Sequence, residues 1–387
     1  MEKVIYFDNN ATTAVAPEVF EAMTPFLTRL YGNPSSIHNF GGQVMRHVDT
    51  ARERLAELLG ASPSEIIFTS CGTESDNAAL WSAVLTQPAR SKVVISQIEH
   101  PAILNTAKEL ERRGTRVSVI PVDGNGRLDM EKAQAEIDED TALVSVMWAN
   151  NEIGNVFPVR ELAAMAHAKG ALFHTDAVQA VGKVPINLKE DDIDFLSLSG
   201  HKLHAPKGVG ALFVRRGVRF HPFVQGGHQE SGRRAGTENV ASLVGLGTAA
   251  MLAKENMEKE QNYVGSLRDE LEKGVLATIP STRVNGDPAN RLPNTTNISF
   301  EYVEGESILM LLDQFGICAS SGSACTTGSL EPSHVLRAMG LPYTAAHGAI
   351  RFSLSRYNTM DEVRFTLEKL PPIISRLREI SPYWKAK

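Results

Sequence analysis

Cysteine is scarce in this chain. Only Cys71, Cys318 and Cys325 occur among 387 residues, and none of them forms a C-x-x-C pair. A disulfide framework and a cysteine zinc site are therefore not expected, and no metal is. Long apolar runs are missing as well: none approaches the roughly 18 residues that a membrane span needs. The first residues pass from charged Glu2 and Lys3 straight into the strand-like Val4-Ile5-Tyr6-Phe7, so no signal peptide is read and a cytoplasmic protein is expected. Positive charge is not in excess either. Lys and Arg number 39 against 45 Asp and Glu, a net charge of −6 without a basic stripe, which argues against nucleic acid or an anionic membrane as partner. There is no internal repeat and no low-complexity tract. What remains is a composition of 42% hydrophobic and 22% charged residues, that of a soluble globular protein, and the length suits two packed units.

Local patterns organise those units. Between Gly41 and Gly60, Val44, Val48, Ala51, Leu55, Leu58 and Leu59 recur at helical spacing, and Gly60 stands where a C-cap glycine belongs. Short apolar runs follow at 65–69, 92–96, 116–122, 142–148, 171–174 and 195–198, alternating with helical stretches such as 159–169. Strands apolar on both faces and separated by helices predict a mostly parallel sheet covered on both sides. A seventh strand, 208–214, follows Lys202 after too short a gap for a crossover helix, which predicts an antiparallel neighbour. Beyond Val240 the pattern becomes one long helix to about Ala277, a turn-rich 280–296, and then strand, helix and strand through 298–319. This reads as a smaller α+β domain. The segment Ser320 to Ser329 has no periodicity and is rich in Gly, Ser and Thr, so a mobile loop is expected there.

In open parallel sheets ligands bind beyond the carboxyl ends of the strands, so the polar residues after each apolar run are the candidates. Ser70-Cys71-Gly72-Thr73-Glu74-Ser75 opens a helix, and its amides suit a phosphate, although a plain N-cap would look the same. Glu99-His100-Pro101 and Asn150-Asn151-Glu152 compete with a structural histidine and an ordinary turn. Two further strand ends carry His174-Thr175-Asp176-Ala177-Val178-Gln179 and Ser197-Leu198-Ser199-Gly200-His201-Lys202. A lysine that can form a Schiff base and an aspartate that can keep a pyridine nitrogen protonated are what pyridoxal phosphate requires. A structural salt bridge and an exposed turn lysine are the competing readings of this pair.

The motifs taken together resemble the cysteine desulfurases of the NifS/IscS type, within the class V aminotransferase superfamily. They are Asp8-Asn9-Asn10-Ala11-Thr12-Thr13, Gly32-Asn33-Pro34-Ser35-Ser36, Cys71-Gly72-Thr73-Glu74-Ser75-Asp76-Asn77, Glu99-His100-Pro101-Ala102, Asn150-Asn151-Glu152-Ile153-Gly154, Ser199-Gly200-His201-Lys202, Arg234-Ala235-Gly236-Thr237-Glu238-Asn239 and Ser320-Ser321-Gly322-Ser323-Ala324-Cys325. The resemblance runs from end to end, and 201–208 with 325–329 looks closest to the nitrogen-fixation branch. It implies an α/β fold of the fold-type I pyridoxal phosphate transferases, with a mostly parallel seven-stranded sheet, helices on both faces and a smaller α+β domain. The large domain would span 13–255, and 1–12 with 256–387 would form the small one carrying the cysteine loop at about 320–331.

The same resemblance implies roles by position. Lys202 would be the Schiff-base lysine and proton-transfer group, Asp176 the partner of the pyridine nitrogen, Gln179 a donor to the ring hydroxyl, and His100 the stacking ring. Thr73, Ser199 and His201 would hold the phosphate, joined by Thr237 from the second subunit of a homodimer. Arg351, assisted by Asn151, would bind the substrate carboxylate as a fork, a geometry that guanidinium suits better than an ammonium. Cys325 would receive sulfur from L-cysteine as a persulfide, with L-alanine released and the sulfur passed to an iron–sulfur scaffold or another acceptor protein. An unperturbed thiol is mostly protonated at neutral pH, and His100 is the nearest proton acceptor by this reading. Cys318 and Cys71 are expected to be structural, although Cys71 stands where many members have Ser and an auxiliary thiol stays open there. A selenocysteine lyase or another class V aminotransferase is the alternative that shares Lys202 and Asp176.

Overall fold

A computed structural model of the chain describes residues 4–321 and 332–384. In chain order the first half runs β1 (Ile5–Tyr6), α1 (Pro17–Thr28), α2 (Asn39–Leu59), β2 (Ile66–Thr69), α3 (Gly72–Thr86), β3 (Lys92–Ser96), α4 (Pro101–Arg112) and β4 (Arg116–Ile120). It continues through α5 (Met130–Glu136), β5 (Thr141–Ser145), α6 (Val159–Ala168), β6 (Leu172–Asp176), β7 (Phe195–Ser199) and β8 (Gly210–Val214). The rest is α7 (Val240–Thr278), β9 (Thr282–Asn285), β10 (Thr295–Phe300), α8 (Gly305–Asp313), β11 (Ile317–Cys318), α9 (His334–Ala338), α10 (Tyr343–His347), β12 (Ala349–Ser353) and α11 (Met360–Glu379).

Seven strands form one sheet in the order β2-β8-β7-β6-β5-β3-β4. Only β8 runs against its neighbours, as the short gap after Lys202 predicted. Side chains on a strand alternate between faces, and both faces here are covered, which is why these strands read as continuous apolar runs. Val94, Val144, Phe173, Leu196 and Phe213 pack into one core with α2, α6 and the start of α7, whereas Val93, Ile95, Leu143, Phe195 and Leu212 pack on the other side against α3 and α4. The edge strand β4 is the exception. Val119 is 43% exposed, although Val117 on the same face and Ile120 on the other each reach a core.

A separate core unites Ile5 and Phe7 with Val264, Leu267 and Leu271 of α7, Ile298 and Phe300 of β10, and Ile350 and Phe352 of β12. The first core also takes in Leu292, Val335, Leu336 and Met339 from the C-terminal part of the chain, so the two cores share that stretch. The turn-rich stretch 280–296 contains a strand that the pattern did not reveal, β9, which pairs antiparallel with β10 beside β12. The expected strand–helix–strand of 298–319 is present, yet its two strands serve different sheets, because β11 pairs in parallel with β1. Of the cysteine loop expected at about 320–331, residues 322–331 lie outside the described residues, Cys325 among them. No helix among the described residues is long and apolar enough to cross a membrane.

Helix α7, at 39 residues, links the two cores: Leu243, Leu246 and Ala250 belong to the first, and Leu267, Leu271 and Val275 to the second. Its start lies directly on α2. A Cβ on Gly247 would come within 2.4 Å of the Ala51 Cα, so only glycine permits this backbone approach. Gly247→Val is expected to lower folding stability by about 1–3 kcal/mol through overpacking, read by denaturant unfolding. Unchanged stability would show that the two helices can separate freely.

Candidate active site

The site lies where β2, β3, β6 and β7 end. Strand β2 stops at Thr69, and Cys71 then caps α3 with extended backbone and no side-chain cap hydrogen bond, leaving the first-turn amides of the helix open. The approach of that turn to the sheet depends on a missing side chain: a Cβ on Gly72 would lie 2.6 Å from Val178 Cγ2 and 3.6 Å from Ser199 Cβ. Strand β7 delivers Ser199, whose buried Oγ has no hydrogen-bond partner among the described residues. A buried hydroxyl without a partner beside an uncapped helix start is a cradle suited to a phosphate group.

The turn after β7 carries His201 and Lys202. Lys202 Nζ donates to the carbonyl oxygens of Asn10 and of Ala11, the latter at 2.7 Å. His201 Nδ1 lies 3.1 Å from Thr12 Oγ1, and burial together with the nearby Lys202 pushes its pKa down to about 4. Its imidazole is thus neutral at physiological pH. Strand β6 ends at Asp176, buried, with Oδ1 accepting the Val178 amide at 2.9 Å. Burial raises the Asp176 pKa, while His100, the Val178 amide and Lys202 pull it back. Gln179 donates through Nε2 to the Asn10 carbonyl (3.0 Å), and its Oε1 accepts from Lys183 Nζ (2.8 Å). Lys183 is lowered to about 7 by burial and by the charges of Lys202 and Arg351.

After β3, His100 caps α4 by accepting the Ala102 amide at Nδ1 (3.2 Å), and its pKa is lowered, chiefly by burial. Beneath it Glu99 is buried and held by the Ser96 hydroxyl and the Met147 amide, and burial lifts its pKa to about 8. From the smaller core, β12 sends in Arg351, only 2% exposed. Its guanidinium reaches Asp8 Oδ1 at 2.6 Å and the Asn151 carbonyl at 3.0 Å, and Nε has no partner among the described residues. Asn151 therefore touches Arg351 through its backbone.

Thr73, His100, Asn151, Asp176, Gln179, Ser199, His201, Lys202 and Arg351, scattered over nearly 280 positions of sequence, line one cavity of about 320 Å³. Cys71 lines it too. Thr237 does not: it is exposed and lies outside this cavity within one chain. Cys318 sits in β11 opposite Tyr6, with its thiol pKa raised by burial. Cys325 is outside the described residues.

Several lining residues had no role assigned from sequence, Asn10, Glu152 and Asp76 among them. Asn10 joins the two sides of the cavity. Glu152 is buried, bonded at 2.6 Å to the Ser333 hydroxyl, and raised to about 7 by burial. Asp76, on the inner face of α3, is also buried. Both acids stand inside the sequence motifs, but nothing local at either position indicates burial.

An uncapped helix start, an inward lysine and a buried aspartate meet at the strand ends of a mostly parallel α/β sheet, and the chain belongs to the class-V aminotransferases, whose pattern it matches over residues 5–365. It is 59% identical over 380 residues to a cysteine desulfurase of Trichormus azollae, covering 98% of this chain and 95% of that one. It is 58% identical over 381 residues to the cysteine desulfurase NifS of Azotobacter vinelandii, with the same coverage. A solved NifS-like protein matches with a TM-score of 0.91 at 40% identity over 97% of this chain and 100% of its own. Another, from Rickettsia africae, gives 0.87 at 33% identity over 96% and 100%.

The unpartnered hydroxyl yields an expectation with two readouts. Ser199→Ala should leave folding stability unchanged or raise it by up to about 1 kcal/mol, since a buried unsatisfied group is removed. Affinity for phosphate-bearing ligands should fall roughly three- to tenfold, in line with one lost hydrogen bond, measured by titration calorimetry. Equal affinity in the two proteins would mean that Ser199 makes no contact with the phosphate.

Proposed function

We propose that this chain is a pyridoxal phosphate-dependent cysteine desulfurase, which converts L-cysteine to L-alanine and collects the sulfur as a persulfide on Cys325. The observation that carries the reading is the convergence on one cavity of Lys202, buried Asp176, the open start of α3 with Ser199, and Arg351. These groups suit, in turn, the cofactor's aldehyde, ring nitrogen and phosphate and the substrate's carboxylate.

The cofactor, when bound, supplies an electron sink for the substrate's Cα. Lys202 is the residue that would hold it covalently and then move the Cα proton, and the Asn10 and Ala11 carbonyls aim its amine. Asp176 keeps a negative charge for the ring nitrogen. Thr73, Ser199 and neutral His201 bind the phosphate, with Thr237 supplied across a homodimer interface, and Gln179 and His100 orient the ring. Arg351 binds the α-carboxylate, and Asn151 fixes the guanidinium. The Cys325 thiolate attacks the substrate sulfur: a sulfur–sulfur bond forms, the carbon–sulfur bond breaks, its electron pair returns toward carbon, and a proton completes alanine. The persulfide sulfur then goes to an acceptor, and iron–sulfur cluster assembly tied to nitrogen fixation fits the likeness to NifS. The reaction needs no membrane or nucleic acid and suits a cytoplasmic enzyme.

The decisive test supplies L-cysteine to the purified protein and measures alanine together with protein-bound persulfide. Cys325→Ser should retain cofactor and substrate binding yet lose alanine release by several orders of magnitude, because a hydroxyl cannot store sulfur. Normal alanine output from that variant, or persulfide on Cys71 or Cys318, would overturn the assignment. Lys202→Ala should remove the covalently held cofactor and nearly all turnover while remaining folded. Asp176→Asn should keep the cofactor and lose about 100-fold or more in turnover, since a neutral partner no longer favours the protonated ring; unchanged turnover would count against its role.

A further inference from the structure

Behind Asp176 lies a second carboxylate that the proposed reaction does not use. Asp76 projects from the first turns of α3, is 1% exposed, and its Oδ1 has no hydrogen-bond partner among the described residues. One side-chain atom each from Asp76, His100 and Asp176 fall within 4.8 Å of one another. Among the described residues no arginine or lysine is seen bonded to Asp76. His174 Nε2 is 3.7 Å from its Oδ1, but that ring already pairs with Ser145 and Ser197 (2.8 and 2.9 Å) and is neutral, its pKa driven to about 3 by burial.

Two buried carboxylates this close do not both ionise readily. The surroundings decide which gives way. Asp176 accepts the Val178 amide and faces His100 and Lys202, which favour its charged form. Burial opposes the ionisation of Asp76 most, and Asp176 from β6, Glu99 from the turn after β3 and Cys71 from its own helix start add to it, while the Ser197 hydroxyl of β7 favours it. The other buried aspartates contrast with it: Asp191, Asp194 and Asp287 meet Arg160, His167 and Arg127.

We propose that Asp76 and Asp176 share one proton, held by Asp76, so that Asp76 is a positioning residue that leaves Asp176 as the single anion presented to the cavity. A neutral Asp76 gives the second acid of the pair no charge of its own, while its bulk and polarity keep Asp176 dry and directed. The proton sharing stands on this chain's own groups. Its use, an anion reserved for a ring nitrogen, rests on the function proposed above.

The experiment is infrared difference spectroscopy of the full chain as purified, with the aspartate side-chain carboxyls isotopically labelled to separate them from Glu99 and Glu152. A protonated aspartate band at neutral pH is expected, and it should vanish in Asp76→Asn. Absence of such a band in the unmutated protein overturns the proposal, as does a band that survives Asp76→Asn and is lost in Asp176→Asn, which would put the proton on Asp176. Should Asp76→Asn fail to fold, Asp176→Asn decides: with the neighbouring anion gone, the Asp76 band should ionise at a pH about one unit or more lower, and an unmoved titration would sink the idea. None of these readouts needs cysteine or alanine, so failure here and failure of the desulfurase reading are separate results.

Discussion

The site depends on a short segment of chain, residues 8–13, being held between the two cores. Asn10 carries that constraint. Its backbone amide donates to Ser353 Oγ and its side chain to Thr295 Oγ1, both in the smaller unit, while its carbonyl accepts from Lys202 and Gln179 of the larger one. Thr13 continues the seam by bonding the His201 carbonyl through both its amide and its hydroxyl. Because each of these polar groups would be costly to bury alone, the segment has one satisfactory seat, and Lys202 is aimed by it.

From that seat the electrostatics follow. Asp76, Glu99, Glu152 and Asp176 are all buried around one cavity, where an isolated carboxylate is expensive. The cations Lys202 and Arg351 line this cavity and Lys183 lines the neighbouring one, and their charges reach one another's surroundings: Arg351 holds Glu152 down while burial lifts it, and Lys202 adds to the burial that depresses His201 and Lys183. Such a concentration of shifted groups at the ends of sheet strands contributes little to stability and much to chemistry. By contrast, the pair of Glu109 with Arg113 just past α4 is solvent-exposed, where such a contact is worth little.

Motifs placed the strand ends well, since an apolar run that stops at a hydroxyl or an acid betrays both the burial and its end. Asp176 and Ser199 are the last residues of their strands, and Lys202 follows in the next turn. The amphipathic α2 and its left-handed Gly60 cap were equally legible, because one helix face and one positive φ each leave a local signature. Strand β9 was not. Its four residues, Thr282–Asn285, are polar or half-buried and are held as a strand only by pairing with β10. Gln179 donates to the Asn10 carbonyl and accepts from Lys183, partners that no spacing could indicate.

Sequence alone determined the alternation of strands and helices, the single reversed strand and the residue types at each strand end, because these arise from periodicity and from short connections. Tertiary structure decided which of those ends meet. Arg351 becomes a neighbour of Asp8 and Asn151 only because the pairing of β12 with β10 carries it to the cleft, and Asp76 meets Asp176 only because the glycine at position 72 lets α3 settle on β7. Distances between charges in a dry interior set their protonation, and those distances are properties of packing, which no local pattern encodes.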